Sequence, residues 1–231
     1  MFKRAAKISF WILIISGWII LSGFVTNYYD ELTLENIEIN FINDNSQKFI
    51  TKSEVNSMLL LMGIVNNVSL KKEIQLASIE KKLLNHSAIR NAQVYFNNNG
   101  GLKVDITKRT PIARFVSSVF EKNFYMDLRG FLMPISKTYV SRVPIFSGEI
   151  NFPERLDLNI LDSLHRTPIF QEIYKMSKLI NNDTFLKSQI VQIHINNNSY
   201  FELIPRIGNQ RILFGSSENM ENKFKKIKLF Y

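Results

Sequence analysis

Three histidines, two serine–lysine pairs and no cysteine are the material from which this 231-residue chain would have to build acid–base, nucleophilic or metal chemistry. His86, His165 and His194 stand far apart, with no H-E-x-x-H helix and no carboxylate pair at ligand spacing. His194 falls on the face of a strand, where a surface imidazole is a simpler reading than a ligand. The S-x-x-K spacing of serine acyl-transfer enzymes occurs at Ser69 to Lys72 and at Ser78 to Lys81. Neither S-D-N nor K-T-G accompanies it, and Lys81 points outward on its helix. The lack of cysteine removes disulfides, thiolate-held metals and thiol nucleophiles together. No G-x-x-x-x-G-K or G-x-G-x-x-G offers a phosphate-cradling loop. The chemistry therefore points to binding: no catalytic residue, cofactor, metal or small-molecule substrate is expected.

The elements that would present a binding surface begin at the N-terminus. Lys3, Arg4 and Lys7 precede a stretch with no charge before Asp30, whose apolar body runs from Ile8 to Val25. That reaches the length of a membrane helix, which needs about 20 residues at roughly 1.5 Å each. Trp11 and Trp18 lie within it, and Tyr28 and Tyr29 suit the interfacial belt. A cleaved signal peptide is the competing reading, but the run is long for one, and Leu21 to Phe24 makes a poor cleavage site. With the cations held inside, residues 1–7 form a cytoplasmic tail, 8–29 a transmembrane helix, and the rest lies across the membrane. The whole chain has 45% apolar and 21% charged residues, which excludes a disordered chain and allows real cores. Its 29 Lys and Arg against 20 Asp and Glu give +9, so an anionic partner is possible.

After the leader, Ile37, Ile39 and Phe41 alternate with Glu38 and Asn40 as in a half-buried strand. Thr51 to Glu54 has the capping-box spacing, and Val55, Met58, Leu59 and Met62 follow at helical period up to Gly63. A second helix is predicted from Leu76 to Asn85, with Leu76, Ile79 and Leu83 inward and Glu80, Lys81 and Lys82 outward. Ala92, Val94 and Phe96, then Leu102, Val104 and Ile106, each share a strand face, and the turn residues Asn97 to Gly101 separate them. One sheet covered by two helices, in the order β-α-α-β-β, buries all these faces over residues 30–109.

In the second half, Pro111 fixes the exit from the first domain, and Asp127 to Gly130 can turn a hairpin. Thr167-Pro168 reads as N-cap and first residue of a helix with Phe170, Ile173 and Tyr174 on one side. Val191, Ile193 and Ile195, then Phe201 and Leu203, alternate as strands, and Gly208-Asn209 can supply a two-residue hairpin into Ile212 and Phe214. Residues 110–231 should form a mostly antiparallel β domain with flanking helices, making the whole α+β. The late helix carries Met220, Phe224, Ile227 and Tyr231 toward a core. Its lysines, Lys223, Lys225, Lys226 and Lys228, are then a solvated face at the C-terminal end of the helix dipole, which argues against nucleic acid as their partner.

The segments Leu83 to Val94 and Val104 to Ala113 resemble a POTRA domain and its exit, and in particular those of the bacterial cell-division family FtsQ, called DivIB in some bacteria. Phe124 to Pro134 is similar to that family's aromatic-x-D-x-x-G-x-x-x-P hairpin, Val143 to Gly148 to its next strand, and Arg211 to Gly215 with Glu221 to Phe224 to its strand and late helix. The resemblance implies a non-catalytic scaffold of the inner membrane, gathered at the septum, that recruits other membrane-anchored division proteins. Among these are the small coiled-coil proteins FtsB and FtsL. Family members run past the late helix through a last strand, where the resemblance places that partner surface. This chain stops at Tyr231, so either it is a fragment or its binding edge differs. An open sheet edge flanked by the four lysines, with Phe230 and Tyr231 as apolar anchors, is the expected partner site, the alternative being that these two residues only fray at a truncated end. A POTRA-type component of an envelope transport or assembly machine is the alternative, and a membrane-tethered envelope enzyme a more distant one.

Overall fold

The computed structural model describes residues 10–23, 33–42, 49–116, 123–136, 139–151, 158–162 and 167–231. The chain divides into two compact units, Met1–Ile42 with Ile50–Thr107, and Asn43–Phe49 with Lys108–Tyr231.

In the first unit a helix, α1 (10–23), is followed by β1 (Ile37–Ile42), α2 (Lys52–Leu61), α3 (Leu76–Leu84), β2 (Ile89–Phe96) and β3 (Leu102–Lys108). The sheet order is β1-β3-β2, with β1 parallel to β3 and Ile39 opposite Val104. Helix α2 starts at a complete capping box: Thr51 Oγ1 accepts from the Glu54 N–H at 3.2 Å, and the Glu54 carboxylate accepts from the Thr51 N–H at 2.7 Å. It stops where Gly63 adopts φ 81°, which an L side chain resists. Val55, Leu59, Ile79 and Leu83 from the helices meet Ala92, Val94, Leu102, Val104 and Ile106 from the strands, all buried. Glu80 differs from its expected solvent position. Its carboxylate accepts the Val94 N–H at 2.8 Å and so occupies a backbone donor of β2, a strand at the sheet's edge.

His86 sits in the turn between α3 and β2, where its Nδ1 accepts the Ala88 N–H at 3.3 Å. Burial pushes its pKa below the ordinary histidine value, against an opposing pull from Glu54. The folded unit thus prefers neutral imidazole, and its stability should be full above pH 6.5, the unfolded value, and fall as pH drops below it. Thermal melts across that window should show the loss shrinking in His86→Asn, whose side-chain oxygen can take the same N–H without titrating. An undiminished loss in the variant would assign the dependence to another group.

The second unit is one seven-stranded sheet ordered β10-β9-β8-β7-β4-β5-β6. Its strands are β4 (Pro111–Val116), β5 (Asn123–Asp127), β6 (Leu132–Pro134), β7 (Ile145–Gly148), β8 (Ile190–Ile195), β9 (Phe201–Pro205) and β10 (Ile212–Gly215). Helices α4 (Pro168–Asn182), α5 (Thr184–Gln189) and α6 (Met220–Phe230) supply the rest of the core. Phe115, Phe124, Phe146, Phe170, Ile193 and Phe201 are buried at its centre, with Met220 and Phe224 of α6 docked beside Phe214. Thr167 caps α4 with Pro168 in its first turn, as read from the sequence.

The sheet is mostly antiparallel, as expected, with β7 pairing parallel to both β4 and β8; the α4 crossover returns the chain in the direction of β7, as parallel neighbours require. One reading needs correction: the β9–β10 connection is a longer loop, 206–211, since β9 ends at Pro205 and β10 starts at Ile212, and Gly208-Asn209 is only its middle. The face of β5 away from the helices is covered by Phe49, whose ring meets those of Tyr125 (5.3 Å) and Tyr139 (4.9 Å) edge-on. Tyr125 is fully buried there, and its hydroxyl accepts the Ser141 N–H at 3.2 Å.

Candidate functional site

The residues that could do chemistry are committed elsewhere. Ser69 Oγ donates to the Gly63 carbonyl at 3.0 Å and accepts the Val65 N–H at 2.9 Å, closing the loop after α2. A groove of about 330 Å³ between α2 and α3 is lined by Ser69 and Ser78, but neither Lys72 nor Lys81 reaches its lining. His194 on β8 faces Glu202 on β9, and its Nδ1 lies 3.4 Å from Ser147 Oγ, which also accepts from Gln192 Nε2 at 2.9 Å. A Ser–His contact alone is no nucleophile: it needs a pocket and donors for a developing oxyanion. The larger groove, about 470 Å³ between α4 and the start of α6, is lined by neither residue. No cluster of three His, Asp or Glu side chains able to hold a metal occurs among the described residues. His165 lies outside them.

Of the leader, residues 10–23 form α1, and Lys3, Arg4, Lys7, Tyr28 and Tyr29 lie outside the described residues. Trp11 (62%) and Trp18 (73%) are exposed, as are Phe10, Ile12, Leu13, Ile15, Ile19, Ile20 and Leu21. Such a helix is apolar all round, and its polar side chains close on themselves: Ser16 Oγ donates to the Leu13 carbonyl at 3.0 Å and Ser22 Oγ to that of Ile19 at 2.9 Å. No helix among the described residues is long and apolar enough to cross a membrane.

At the other end of the chain, α6 and β10 form one surface. β10 has a single hydrogen-bonded neighbour, β9, and ends the sheet. The opposite end is covered: Phe131 bridges Asn159, the Leu132 N–H bonds the Leu158 carbonyl at 2.9 Å, and the Ile160 N–H bonds that of Gly130 at 3.0 Å. No such cover lies on β10 among the described residues, and Leu213 is 79% exposed. The four lysines divide. Lys225 and Lys226 are free on the outer face of α6. Lys223 bends over the Phe214 ring, 5.1 Å from its centroid, and donates to the Ser216 carbonyl at 2.9 Å. Lys228 pairs with Asp183 at 2.6 Å. That bond, with the N–H groups of Leu186 and Phe185, holds the Asp183 carboxyl below its usual range while it caps α5. Phe230 is exposed; Tyr231 packs edge-on against it and against Phe185, and its hydroxyl accepts from Gln210 Nε2 at 2.9 Å. Lys223 and Lys228 thus hold the helix in place, and Lys225, Lys226 and Phe230 are left exposed. The sequence signal missed was Asp183, an N-cap before Thr184 that also accepts a cation 45 residues away.

Asp127 is the buried carboxylate that ties the second unit's start to its hairpin. Its Oδ1 accepts the Arg129 and Phe131 N–H groups at 2.8 and 2.9 Å, and its Oδ2 accepts Arg109 Nη1 at 2.9 Å. The Arg109 guanidinium also lies 4.3 Å from the Phe131 ring centroid. Gly130 takes φ 83°, where a Cβ would also stand 2.8 Å from Leu161 Cγ. The D-x-x-G spacing noted in the sequence is therefore a turn that a carboxylate closes from inside.

Comparison with known families adds two matches. Residues 110–231, more than half of the chain, match the family described as FtsQ/DivIB, C-terminal related. Residues 34–107 match the POTRA-like domain. No curated protein matches the chain.

Proposed function

The chain belongs to the FtsQ/DivIB-related family, and from that premise we propose that it is a non-catalytic scaffold of bacterial cell division. Helix α1 and its flanks anchor it in the inner membrane with the N-terminus in the cytoplasm, and the POTRA-like and β units lie outside. The all-round apolar surface of α1 and its internally bonded serines support the anchor. The observation that carries the scaffold reading is the open edge of β10 beside α6. An incoming strand from a membrane-anchored partner, an FtsB- or FtsL-like protein, pairs with β10 and sets a side chain beside Leu213. Lys225 and Lys226 meet its acidic residues and Phe230 supplies apolar contact.

Depleting the protein in its host should give filamentous cells with unfinished septa; normal division would refute the proposal. For the edge, Leu213→Lys should leave the melting temperature nearly unchanged, since surface substitutions stay within about 0.5 kcal/mol. It should nevertheless weaken capture of the partner ectodomain about tenfold, as expected for a lost anchor. Added salt should weaken the wild-type complex through Lys225 and Lys226. Equal capture by both proteins would place the interface elsewhere, the first unit being the next surface to test.

A further inference from the structure

We propose that the first unit rests on the bilayer surface through Val68 and Leu61, an inference that depends on the membrane anchor put forward above. Helix α1 is described as far as residue 23, and the chain is fixed to the first unit at Thr33 and Leu34. Leu34 is fully buried; its N–H bonds the Ser69 carbonyl at 2.9 Å and its carbonyl accepts the Asn67 N–H at 2.6 Å, while Thr33 bridges Leu70. The joining stretch thus ends on the loop that carries Val68. The ten residue steps from 23 to 33 span at most about 35 Å, so Thr33, bridged to this loop, cannot lie farther than that from residue 23 of α1.

Apolar side chains are exposed at this point without serving the core. Val68 is 69% exposed and Leu61 89%, and Leu60 beside it is half exposed, whereas Val55 and Leu59 of the same helix are buried. The Ser69 hydroxyl, bonded to the Gly63 carbonyl and the Val65 N–H, folds the end of α2 against the loop and puts Leu61 and Val68 at the same end of the unit. The charges beside the loop and at Leu34, namely Glu35, Lys71, Lys72 and Glu73, balance, and Asp30 and Glu31 lie in the joining stretch. The contact is therefore apolar and gains nothing from anionic lipid. Two or three such side chains bind a bilayer weakly by themselves, but a short tether raises their effective concentration to the mM range, enough for a weak contact to persist.

The native chain has no cysteine, so single cysteines report cleanly. The full chain carrying Val68→Cys or Leu61→Cys is labelled with an environment-sensitive fluorophore and reconstituted in phosphatidylcholine vesicles with or without a spin-labelled quencher lipid. Trp18→Cys reports the anchor and Arg90→Cys, exposed on β2, reports water. Quenching at 68 and 61 should exceed that at 90 by about twofold or more and persist in about 0.5 M salt, as expected for apolar insertion. Quenching at 18 without quenching at 68 and 61 overturns the inference and leaves the anchor standing. No quenching at 18 overturns both. A blue-shifted, lipid-insensitive label at 68 means that a protein, a second copy or a partner, covers the loop instead, and that too overturns it.

Discussion

Asp127→Ala should destabilise the second unit by about 3–5 kcal/mol, the cost of removing one partner from a buried ion pair. Asp127 is 1% exposed, and its loss would leave the Arg129 and Phe131 N–H groups and the Arg109 guanidinium, on a side chain 16% exposed, without their acceptor. Asp127→Asn keeps an oxygen for the two backbone donors but turns an N–H group toward Arg109 in place of the second carboxylate oxygen, so its cost should be smaller than alanine's, about 1.5–3 kcal/mol, the range for a lost hydrogen bond to a charged group. Differential scanning calorimetry of the wild type and both variants separates these cases. A drop on the order of 10 °C or more is expected for the alanine variant, with asparagine intermediate. Equal melting of alanine and wild type would mean that the turn is held by Gly130 and the flanking strands alone. Since Arg109 and Thr110 lead directly into β4, and the Leu128 N–H bonds the Thr110 carbonyl at 2.9 Å, the alanine variant should also loosen the start of the sheet that ends in the β10 edge. Partner capture should then fall together with stability.

Val104→Asp should unfold the first unit. Val104 is fully buried on β3, opposite Ile39, among Leu102, Ile106, Val94 and the inward faces of α2 and α3. A carboxylate there has no partner and costs several kcal/mol, comparable with the whole stability of a small domain. The neighbouring position supplies the control, chosen with regard to its surroundings. Lys103 lies 6.0 Å from the centre of the Tyr95 ring, and Tyr95, Glu38 and Asp105 together raise its pKa, so an acidic residue there would meet other carboxylates. Lys103→Gln avoids that and should melt with the wild type. Loss of the cooperative transition for Val104→Asp alone, followed by circular dichroism, is the expected result; similar melting of the two variants would place β3 in the wrong register, because a one-residue slip exchanges the faces.

What the sequence determined by itself was whatever a few neighbouring residues decide. The Thr51–Glu54 box, the Thr167-Pro168 start of α4, the Asp127–Gly130 turn and the alternation of β2 and β3 each depend on contacts within about one helical turn or on the period of the strand. The family pattern was legible for the same reason, since its turns and caps are local. The tertiary structure alone decided the rest. It inserted β7 between β4 and β8 in parallel, paired Lys228 with Asp183, turned Glu80 back onto Val94, set Phe49 on Tyr125 and put β10 last in the strand order, next to β9 alone among the described residues. These contacts join residues well apart in the chain, and the same local pattern is compatible with several strand orders and several partners for a given charge. The choice among them comes from closing the apolar faces of sheet and helices into a core within each unit, and that balance belongs to the whole unit.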